Sequence, residues 1–519
     1  MKVGFISIFS YRPFVKHLTY LAKILSEAGH ETSFLVCDSS VDKCYSQFLK
    51  GHSKLRECPV CILGGFRSFP LENIYSINPN VKVDLDEKIL QDIASSSSYT
   101  IHRVETKEDC QNTKVLETQK ALYQPIEIVY GNVIEWAIKN KLDSIICFNG
   151  RMDLTKAAIY ACENIGVPYI TVERPWFANG LHLTPNGNCL SLKEFNRFNF
   201  EYRNKPLTLK QAQYAAHLMS IRFLHKNQLD WRIFQFENST SSKNLIASSG
   251  QCPRVIILPS SSCEFIGHPD WKSDWDHFTD ALDELIAVLG ITYKQCILRG
   301  HPIWSENIGC RTGEKSQKHY YEWANARGVR YINSKEKVNT YLLMKEADII
   351  IVANSSSGVE AGILGKKVIS LGKSRYQNAG FVTSIKSRND WFKLENLENH
   401  DPLSVIRLTL RYVYMHSCRI TQYVNYIRFI SSGNYEYYGG ADPEQLLSIF
   451  RIGQLKADDP LFAQDTNDED KIISDLFNQN WQKFSQWEFN HTSSPTSIDR
   501  KMGLRWVDSV RNLFPRGDR

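Results

Sequence analysis

Three consecutive serines before a glycine form the part of this sequence best suited to bind a phosphate. They follow the apolar run 348–352, which reads as a buried strand, and they precede a helical pattern. Backbone N–H groups, hydroxyls and the positive end of a helix would meet at such a turn. Serine also caps helices that bind nothing, but three serines exceed what one cap needs. The sequence predicts a phosphate site formed by Asn354, Ser355, Ser356, Ser357 and Gly358.

A histidine follows a second predicted strand, 295–298, in the sequence Arg299-Gly300-His301-Pro302. Because a proline holds the residue before it extended, Pro302 would fix the direction of the imidazole. A histidine can donate to a phosphate oxygen and stabilise a departing nucleotide, although many turn histidines are only structural. We predict that Arg299, His301 and Pro302 belong to the nucleotide site and that His301 is catalytic.

A third polar loop follows the predicted strand 254–258. Ligands of open α/β sheets bind beyond the carboxyl ends of the strands, so Ser260, Ser261 and Glu264 are predicted to contact the nucleotide. Trp271 and Trp275 come shortly afterwards. They either stack on a base or sugar or belong to the core.

Two predicted strands in the first half of the chain are followed by side chains suited to bind a sugar that accepts a transferred group. Amide and guanidinium groups can bind sugar hydroxyls, and a carboxylate can act as an acid or a base. The predicted acceptor-binding residues are Asn149, Arg151, Arg174 and Trp176. Glu173 is the predicted catalytic carboxylate, with Asp153 and His182 as rival candidates.

The apolar runs that position these residues predict two α/β domains. Strand 3–9, helix 15–28 and strand 33–36 open the chain, and the same alternation resumes over 144–173. From residue 254 onward, strands of a few apolar residues alternate with helices and lack the period of two that marks a half-exposed sheet. The pattern indicates two parallel, doubly wound, Rossmann-like sheets facing a cleft.

The predicted organisation has five parts. A helix over 207–236 is followed by a Ser/Asn-rich stretch at 238–242 that is typical of a linker. The acidic stretch 458–470 is typical of a disordered segment or a linker. The parts are a first domain at 1–190, a helical linker at 191–250, a second domain at 251–400, helices packing back across the domains at 401–452, and an acidic linker with an amphipathic tail at 453–519.

Composition excludes several classes of protein. The 519 residues carry 62 basic and 56 acidic side chains, interspersed to a net charge of +6, which argues against a nucleic-acid partner. The 13 cysteines are an odd number and lie in apolar runs, as expected of core thiols in a reducing cytoplasm. Cys58 and Cys61 form one pair without a second at zinc spacing, so no metal site is predicted.

Membrane association is a separate question. No run of about 18 apolar residues occurs, so no segment is expected to span a bilayer. The tail 501–519 alternates apolar with basic residues and either lies on a membrane surface or docks on the protein body. The expected location is the cytoplasm, with peripheral contact at the inner face of the membrane left open.

The second half of the chain resembles a known family. His301-Pro302, the run Ala347–Ala361 with its serines, and the later Gly372–Tyr376 are similar to motifs of the bacterial capsule polysaccharide biosynthesis family of GT-B glycosyltransferases, which includes Kdo transferases. The resemblance implies a CMP-activated sugar donor, with His301 and the serines on the phosphate and Glu360 near the nucleoside. The acidic-acidic-glycine motif of related sialyltransferases has no counterpart here.

The resemblance implies a glycosyltransferase of GT-B-like α/β fold with a C-terminal helical extension. It should need no metal, because no Asp-x-Asp motif follows a predicted strand and because the helix end, the serine hydroxyls and His301 can together offset the phosphate charge. Its co-substrate would be a nucleotide-sugar, and its acceptor a saccharide or a lipid-linked glycan. Three alternatives stay open. They are a CDP-polyol phosphotransferase, a UDP-sugar epimerase of the same fold, and a non-catalytic polysaccharide-assembly protein.

Overall fold

A computed structural model describes residues 1–177, 179–227, 254–307, 309–431, 433–461, 468–488 and 493–513. The strands, in chain order, are β1 (Lys2–Ser7), β2 (Glu31–Val36), β3 (Ile74–Ser76), β4 (Ser144–Phe148), β5 (Tyr169–Glu173), β6 (Leu181–Pro185), β7 (Val255–Leu258), β8 (Cys296–Arg299), β9 (Arg330–Ile332), β10 (Ile349–Val352), β11 (Lys367–Leu371), β12 (Thr383–Ile385), β13 (Thr421–Gln422), β14 (Ile427–Ser431), β15 (Asn434–Tyr438) and β16 (Pro495–Thr496).

The helices, in chain order, are α1 (Phe14–Glu27), α2 (Tyr45–Lys50), α3 (Lys54–Gly64), α4 (Glu87–His102), α5 (Lys107–Cys110), α6 (Thr113–Asn140), α7 (Asp153–Asn164), α8 (Lys193–Tyr202), α9 (Leu209–Phe223), α10 (Phe278–Val288), α11 (Glu314–Arg327), α12 (Thr340–Glu346), α13 (Ser357–Ile363), α14 (Pro402–Tyr414), α15 (Pro443–Ile452), α16 (Glu469–Phe477) and α17 (Trp506–Asn512).

The first sheet has the strand order β13-β6-β5-β4-β1-β2-β3. The strands from β3 to β5 are parallel, whereas β6 and β13 are antiparallel to their neighbours. The chain runs from β1 outward through β2 and β3, then returns to the other side of β1 with β4. The strand order therefore reverses between β1 and β4, and a crevice opens beyond their carboxyl ends.

The second sheet has the strand order β12-β11-β10-β7-β8-β9, and all its neighbouring strands are parallel. Every residue of β7 and β10 is buried, as required of strands that helices cover on both faces. The order reverses between β7 and β10, so the loops after these two strands are adjacent. The predicted class of two Rossmann-like, doubly wound α/β domains is confirmed.

Residues 401–452 do more than the predicted helices. After α14 and a π-helical turn at Met415–Arg419, β13 pairs with β6 of the first sheet, where Thr421 lies opposite His182. Strands β14 and β15 then form a hairpin that β16 extends. The chain thus returns from the second domain and adds the last strand to the first sheet. The spacing of apolar residues along the sequence does not indicate this pairing.

The predicted helix 207–236 is shorter in the structure. Helix α9 begins at a capping box between Thr208 and Gln211 and ends at Phe223. Two residues after the helix ends, His225 has a φ of 56°. This left-handed conformation is incompatible with a right-handed helix, so the helix cannot extend through this residue. The predicted linker 238–242 lies outside the described residues.

The prediction that the acidic stretch is disordered is wrong for Asp458 and Asp459. Asp459 accepts hydrogen bonds from Arg419 (3.0 Å) and Gln211 (3.0 Å). Asp458 accepts from the Val424 N–H (3.0 Å), and its burial raises its pKa to about 6. The stretch is held because buried donors, which lie far away in sequence, face its carboxylates. Residues 462–467 are not among those described.

The C-terminal segment docks on the first domain. Arg500 donates to the Leu63 carbonyl (2.9 Å), Arg511 donates to the Ser10 carbonyl (2.8 Å), and Lys16 pairs with Asp508 (3.0 Å). Of the two alternatives for the tail, the structure shows docking on the protein body. Among the described residues, no helix has both the length and the apolar character needed to cross a membrane.

Candidate functional site

Three polar loops meet at the carboxyl edge of the second sheet. Strand β7 pairs with β10 on one side and with β8 on the other, so the loops that follow these three strands are neighbours. They carry the serine cluster, the His301 turn and the stretch 259–265. The site predicted from strand ends is therefore assembled by the sheet topology.

The serine cluster forms one compact turn. Ser355 Oγ donates to Ser357 Oγ (3.1 Å) and accepts the Ser357 N–H (3.2 Å), while the Gly358 N–H bonds the Ser355 carbonyl (3.1 Å). All three serines, Ser356 included, are half-buried, and α13 starts at Ser357. Hydroxyls and the first N–H groups of the helix thus lie at one accessible spot.

Tyr376 holds this turn in place through hydrogen bonds to its backbone. Its hydroxyl lies 2.9 Å from the Ala353 carbonyl and 3.1 Å from the Ser355 carbonyl, and the ring is fully buried. A Cβ on Gly358 would lie 2.8 Å from the tyrosine hydroxyl, which explains the glycine. Asn354 is buried and accepts the Arg375 N–H (3.1 Å), so it ties the serine turn to the loop after β11.

The His301 turn is joined to the loop after β7. His301 Nδ1 accepts the Ile303 N–H (3.2 Å), so Nε2 carries the proton of the neutral ring and is the nitrogen able to donate. Pro302 begins a single 3₁₀ turn, and the buried Trp304 donates from Nε1 to Ser261 Oγ (2.9 Å). Ser260 is half-buried and Glu264 is exposed in the same loop.

The structure gives other partners to two predicted nucleotide ligands. Arg299 is buried and donates to the carbonyls of Asn333 and Glu336, the latter at 2.9 Å, beyond the end of the neighbouring β9. Glu360 is buried in an ion pair with Arg222 of α9 (2.7 Å). Both side chains brace the fold, because strong partners from distant segments satisfy their charges.

Two predicted residues of the first domain come together at the end of β4. Asn149 Nδ2 donates to Glu173 Oε2 (2.6 Å), and Glu173 Oε1 accepts the Arg174 N–H (3.0 Å). Asn149 and Gly150 both adopt positive φ angles, 63° and 68°. Glycine adopts this conformation without strain, whereas for Asn149 it is uncommon, and here it directs the amide at the half-buried carboxylate.

Gly150 is expected to tolerate no side chain. A Cβ would lie 2.6 Å from Thr171 Cγ2, whereas Gly166 has the same φ of 68° and nothing within 4 Å. Gly166→Ala should lower the free energy of unfolding by about 1 kcal/mol, the strain of a left-handed alanine. Gly150→Ala should cost about 1–3 kcal/mol more because of the clash. Urea unfolding of both variants measures the difference, and equal losses would contradict the role of Thr171.

The other predicted acceptor residues are used in packing. Arg151 is buried and donates to Ser96 Oγ (3.0 Å) and Thr100 Oγ1 (2.9 Å) on α4. The half-buried Trp176 stacks on His416, with ring centroids 5.4 Å apart. Neither contact excludes an acceptor, but both show that these side chains also hold the domain together.

The two rival catalytic residues are core residues. Asp153 is 0% exposed, and its Oδ2 accepts the Tyr45 N–H (2.8 Å). His182 is buried against Phe195, and burial lowers its pKa to about 3. Since Glu173 is half-buried, it is the best placed of the three candidates to meet a substrate.

Asp153 should make stability depend on pH. Burial raises its pKa to about 7, well above the value near 4 of an unfolded chain. The folded state therefore binds the proton more tightly, and the contribution to stability, full below pH 4, is lost as the pH rises through 7. Asp153→Asn should remove about 2–4 kcal/mol of that decline. Unfolding between pH 5 and 8 tests this, with the exposed Asp84→Asn as control; parallel wild-type and Asp153→Asn curves would contradict it.

Sequence reasoning missed Glu105, a fully buried carboxylate at the domain interface. It comes from the first domain and accepts from three elements of the second: Ser262 Oγ (2.9 Å), His277 Nε2 (2.9 Å) and Ser316 Oγ. The Thr279 N–H donates to His277 Nδ1 (3.1 Å), so Nε2 holds the proton given to Glu105. No spacing signal could reveal it, because its partners are dispersed along the chain.

The two tryptophans after β7 also serve the structure. Trp271 Nε1 donates to the Leu190 carbonyl of the first domain (2.8 Å), and its ring packs on Phe265. Trp275 is buried beside Trp391. Of the two readings offered by the sequence, packing is the one that the structure shows. Within the described residues, no cluster of His, Cys, Asp or Glu is placed to hold a metal ion.

Two Rossmann-like domains, with polar loops at the switch point of the second, define a GT-B-like fold. Residues 280–420 match the family model described as capsule polysaccharide biosynthesis protein. This segment contains His301, the serine cluster and Arg375. The resemblance expected from the motifs is thereby confirmed over the second domain.

Comparison with solved structures gives distant similarities. The β-Kdo 2,4-transferase KpsC of Thermosulfurimonas dismutans is 16% identical, with 65% of this chain and 87% of that chain covered and a TM-score of 0.34. The UDP-GlcNAc 2-epimerase of Methanocaldococcus jannaschii in complex with UDP-GlcNAc and UDP is 12% identical, with 78% and 94% covered and a TM-score of 0.27. At these TM-scores neither locates a site in this chain. A comparison with curated proteins found no match.

Proposed function

We propose that this protein is a glycosyltransferase that moves a sugar from a CMP-linked, Kdo-like donor to a growing surface polysaccharide or glycolipid. The observation that carries the proposal is the family match over 280–420, because it spans two of the three loops that meet at the switch point of the second sheet. Open α/β folds bind nucleotides at such crevices.

In this proposal the second domain holds the donor. The hydroxyls of Ser355–Ser357 and the N–H groups at the start of α13 bind the phosphate, and His301 Nε2 donates to it. As the bond to the sugar breaks, negative charge grows on the departing nucleotide, and donors already in place stabilise it. This arrangement needs no metal ion to offset the charge.

The first domain would hold the acceptor. Glu173, held by Asn149 (2.6 Å), is the proposed base for an acceptor hydroxyl. Because one of its oxygens accepts an amide and the other a backbone N–H, the carboxylate has a fixed orientation. The acceptor domain and the donor domain then close on the two substrates from opposite sides.

A thermal-shift panel of nucleotides tests the proposal most directly. A ligand that binds only the folded state raises the melting temperature in proportion to RT ln(1 + [L]/Kd). We expect CMP to raise it more than UMP, GMP or AMP. Incubation with CMP-Kdo and a glycan acceptor should then give a glycosylated product. No shift with any nucleotide would favour a non-catalytic assembly protein, and sugar epimerised from a UDP donor alone would favour an epimerase.

Peripheral membrane contact through the tail is part of the proposal. Although α17 docks on the first domain, Trp506 is 54% and Leu513 is 76% exposed, next to the exposed Lys501 and Arg505. Apolar and basic side chains together favour anionic bilayers. The protein should sediment with phosphatidylglycerol vesicles, and the Trp506→Glu/Leu513→Glu variant should stay in solution. Equal sedimentation of both would contradict this role for the tail.

A further inference from the structure

Arg375 is a buried cation that lacks an acidic partner. Its side chain follows β11 in the second domain and is 9% exposed. Among the described residues, no carboxylate lies within ion-pair distance of its guanidinium, and Nε has no hydrogen-bond partner. The only hydrogen bond from the guanidinium within that part of the chain joins Nη2 to the Cys189 carbonyl (3.3 Å).

Arg103, Arg151 and Arg299, which are also buried without a carboxylate partner among the described residues, donate to neutral hydroxyls or carbonyls, whereas four other buried arginines are neutralised by ion pairs. The pairs that do this are Arg222–Glu360, Arg411–Glu469, Arg419–Asp459 and Arg500–Asp508. An unpaired buried charge destabilises a protein strongly, so a chain retains one where a ligand or another group compensates it. Arg375 therefore calls for an anion that the protein itself does not supply.

Aromatic rings hold the guanidinium in place. Its carbon lies 4.9 Å from the Trp176 ring centroid and 5.1 Å from that of Phe195, both in the first domain. Behind Trp176, neither nitrogen of the buried His416 ring has a hydrogen-bond partner among the residues that the structure describes. Cation–π contacts offset part of the desolvation and fix the direction of the fork without neutralising it.

The position of Arg375 joins the two halves of the proposed site. Its N–H bonds Asn354 Oδ1 beside the serine cluster, and Asn199 of the first domain donates to its carbonyl (2.7 Å). Burial lowers the pKa of the guanidinium, and the charges of Glu173 and Glu264 act against that shift. Cys189, whose carbonyl accepts from Arg375, donates its N–H to the carbonyl of Asn149 (2.9 Å), so Arg375 is also linked to the residue that holds Glu173.

We propose that Arg375 is an anion subsite that binds an oxyanion of the donor, and that this oxyanion is the carboxylate of an acidic sugar. The inference rests on the proposed function and deepens it, because it names the residue that would bind the carboxylate of the donor sugar. A planar guanidinium binds a carboxylate or a phosphate through two parallel hydrogen bonds. The shared chemistry has two sources in one donor, the sugar carboxylate and the nucleotide phosphate, which experiment can separate.

The test compares full-length wild type with Arg375→Met and Arg375→Lys. Arg388→Met, which removes an exposed arginine of the same domain, is the matched control. Ligands are CMP, CMP-Kdo, and the methyl ester of CMP-Kdo, in which the carboxylate is blocked. We expect wild type to bind CMP-Kdo about 10- to 100-fold more tightly than its ester, and both Arg375 variants to lose this preference. Arg388→Met should retain it.

The two sources give different results. If the carboxylate is the ligand, CMP affinity stays unchanged in Arg375→Met; if the phosphate is, CMP affinity itself falls about 10-fold or more and the ester binds as well as the acid. Either result supports the anion subsite, and the second moves it to the phosphate. Equal affinities of wild type and both variants for all three ligands would overturn it.

A second measurement keeps the subsite separate from the proposed function. At constant ionic strength, inorganic phosphate should raise the melting temperature of wild type, which keeps both the serine cluster and Arg375, more than that of Arg375→Met, which keeps only the serine cluster. This outcome would support the subsite even if no nucleotide bound, and it would then be the proposed function that failed. A merely structural arginine predicts the opposite pattern: Arg375→Met melts lower, and phosphate shifts both proteins equally. If Arg375→Met does not fold, Arg375→Lys, which keeps the charge but not the fork, decides in the same assays.

Discussion

Glu105→Ala is expected to lower the free energy of unfolding by about 2–4 kcal/mol and to weaken nucleotide binding at the same time. The carboxylate is the common acceptor of Ser262, His277 and Ser316, so its loss leaves three donors without this acceptor, the buried His277 and Ser316 and the half-buried Ser262. Each such donor costs about 1 kcal/mol or more. Because Ser262 follows Ser260 and Ser261 directly, the loop after β7 would also lose one of its contacts with the first domain.

Chemical denaturation and a CMP titration measure the two effects of Glu105→Ala. Glu108→Ala is the matched control, because Glu108 lies in the same segment but is exposed. Its stability should stay within about 0.5 kcal/mol of wild type. A Glu105→Ala variant that is destabilised but binds CMP normally would show that the network holds the domains together without shaping the donor site.

His301→Ala should reduce turnover about 10- to 100-fold. The loss corresponds to one charge-assisted hydrogen bond from Nε2 to the phosphate, worth about 1.5–3 kcal/mol. The substitution also removes a helix cap, since Nδ1 accepts the Ile303 N–H (3.2 Å). The two roles must be separated before turnover can be interpreted.

His301→Asn provides that separation. Asparagine is a good capping residue, so this variant should keep the stability that His301→Ala loses, about 1 kcal/mol. It cannot place a donor where Nε2 lies, so its turnover should fall as far as that of the alanine variant. Restored turnover in His301→Asn would mean that the histidine acts only as a cap.

The fold could be predicted because burial on both faces leaves a strong local signal. The uninterrupted apolar runs of β7 and β10 identify strands of a covered parallel sheet, and polar residues directly after them must lie at one edge. Ser355 and His301 could be assigned to this edge of the sheet in this way. These two residues lie near each other because β8 and β10 both flank β7 in the parallel sheet. Short apolar runs in the sequence are enough to indicate such a sheet.

Partners of charged residues could not be predicted in the same way. Arg299 is bound by carbonyls beyond β9, and Glu360 by Arg222 on α9, a helix that precedes the second sheet in the chain. The partner of a buried charge is set by which groups lie near it in the folded protein, and these groups can be far away in the sequence. For the same reason Glu105 and Arg375 gave no signal, although Arg375 lies within the stretch whose resemblance to the family was noted.

The pairing of β13 with β6 has a consequence for how the protein is made. The first sheet receives its last strand from a segment that the ribosome synthesises only after the whole second domain. Until then the edge of β6 has open N–H and C=O groups, which favour pairing with other chains. During synthesis the second domain can therefore finish folding before the first sheet is complete. A fragment that ends before Thr421 should aggregate, although it contains helices α1–α9 and the other six strands of the first sheet.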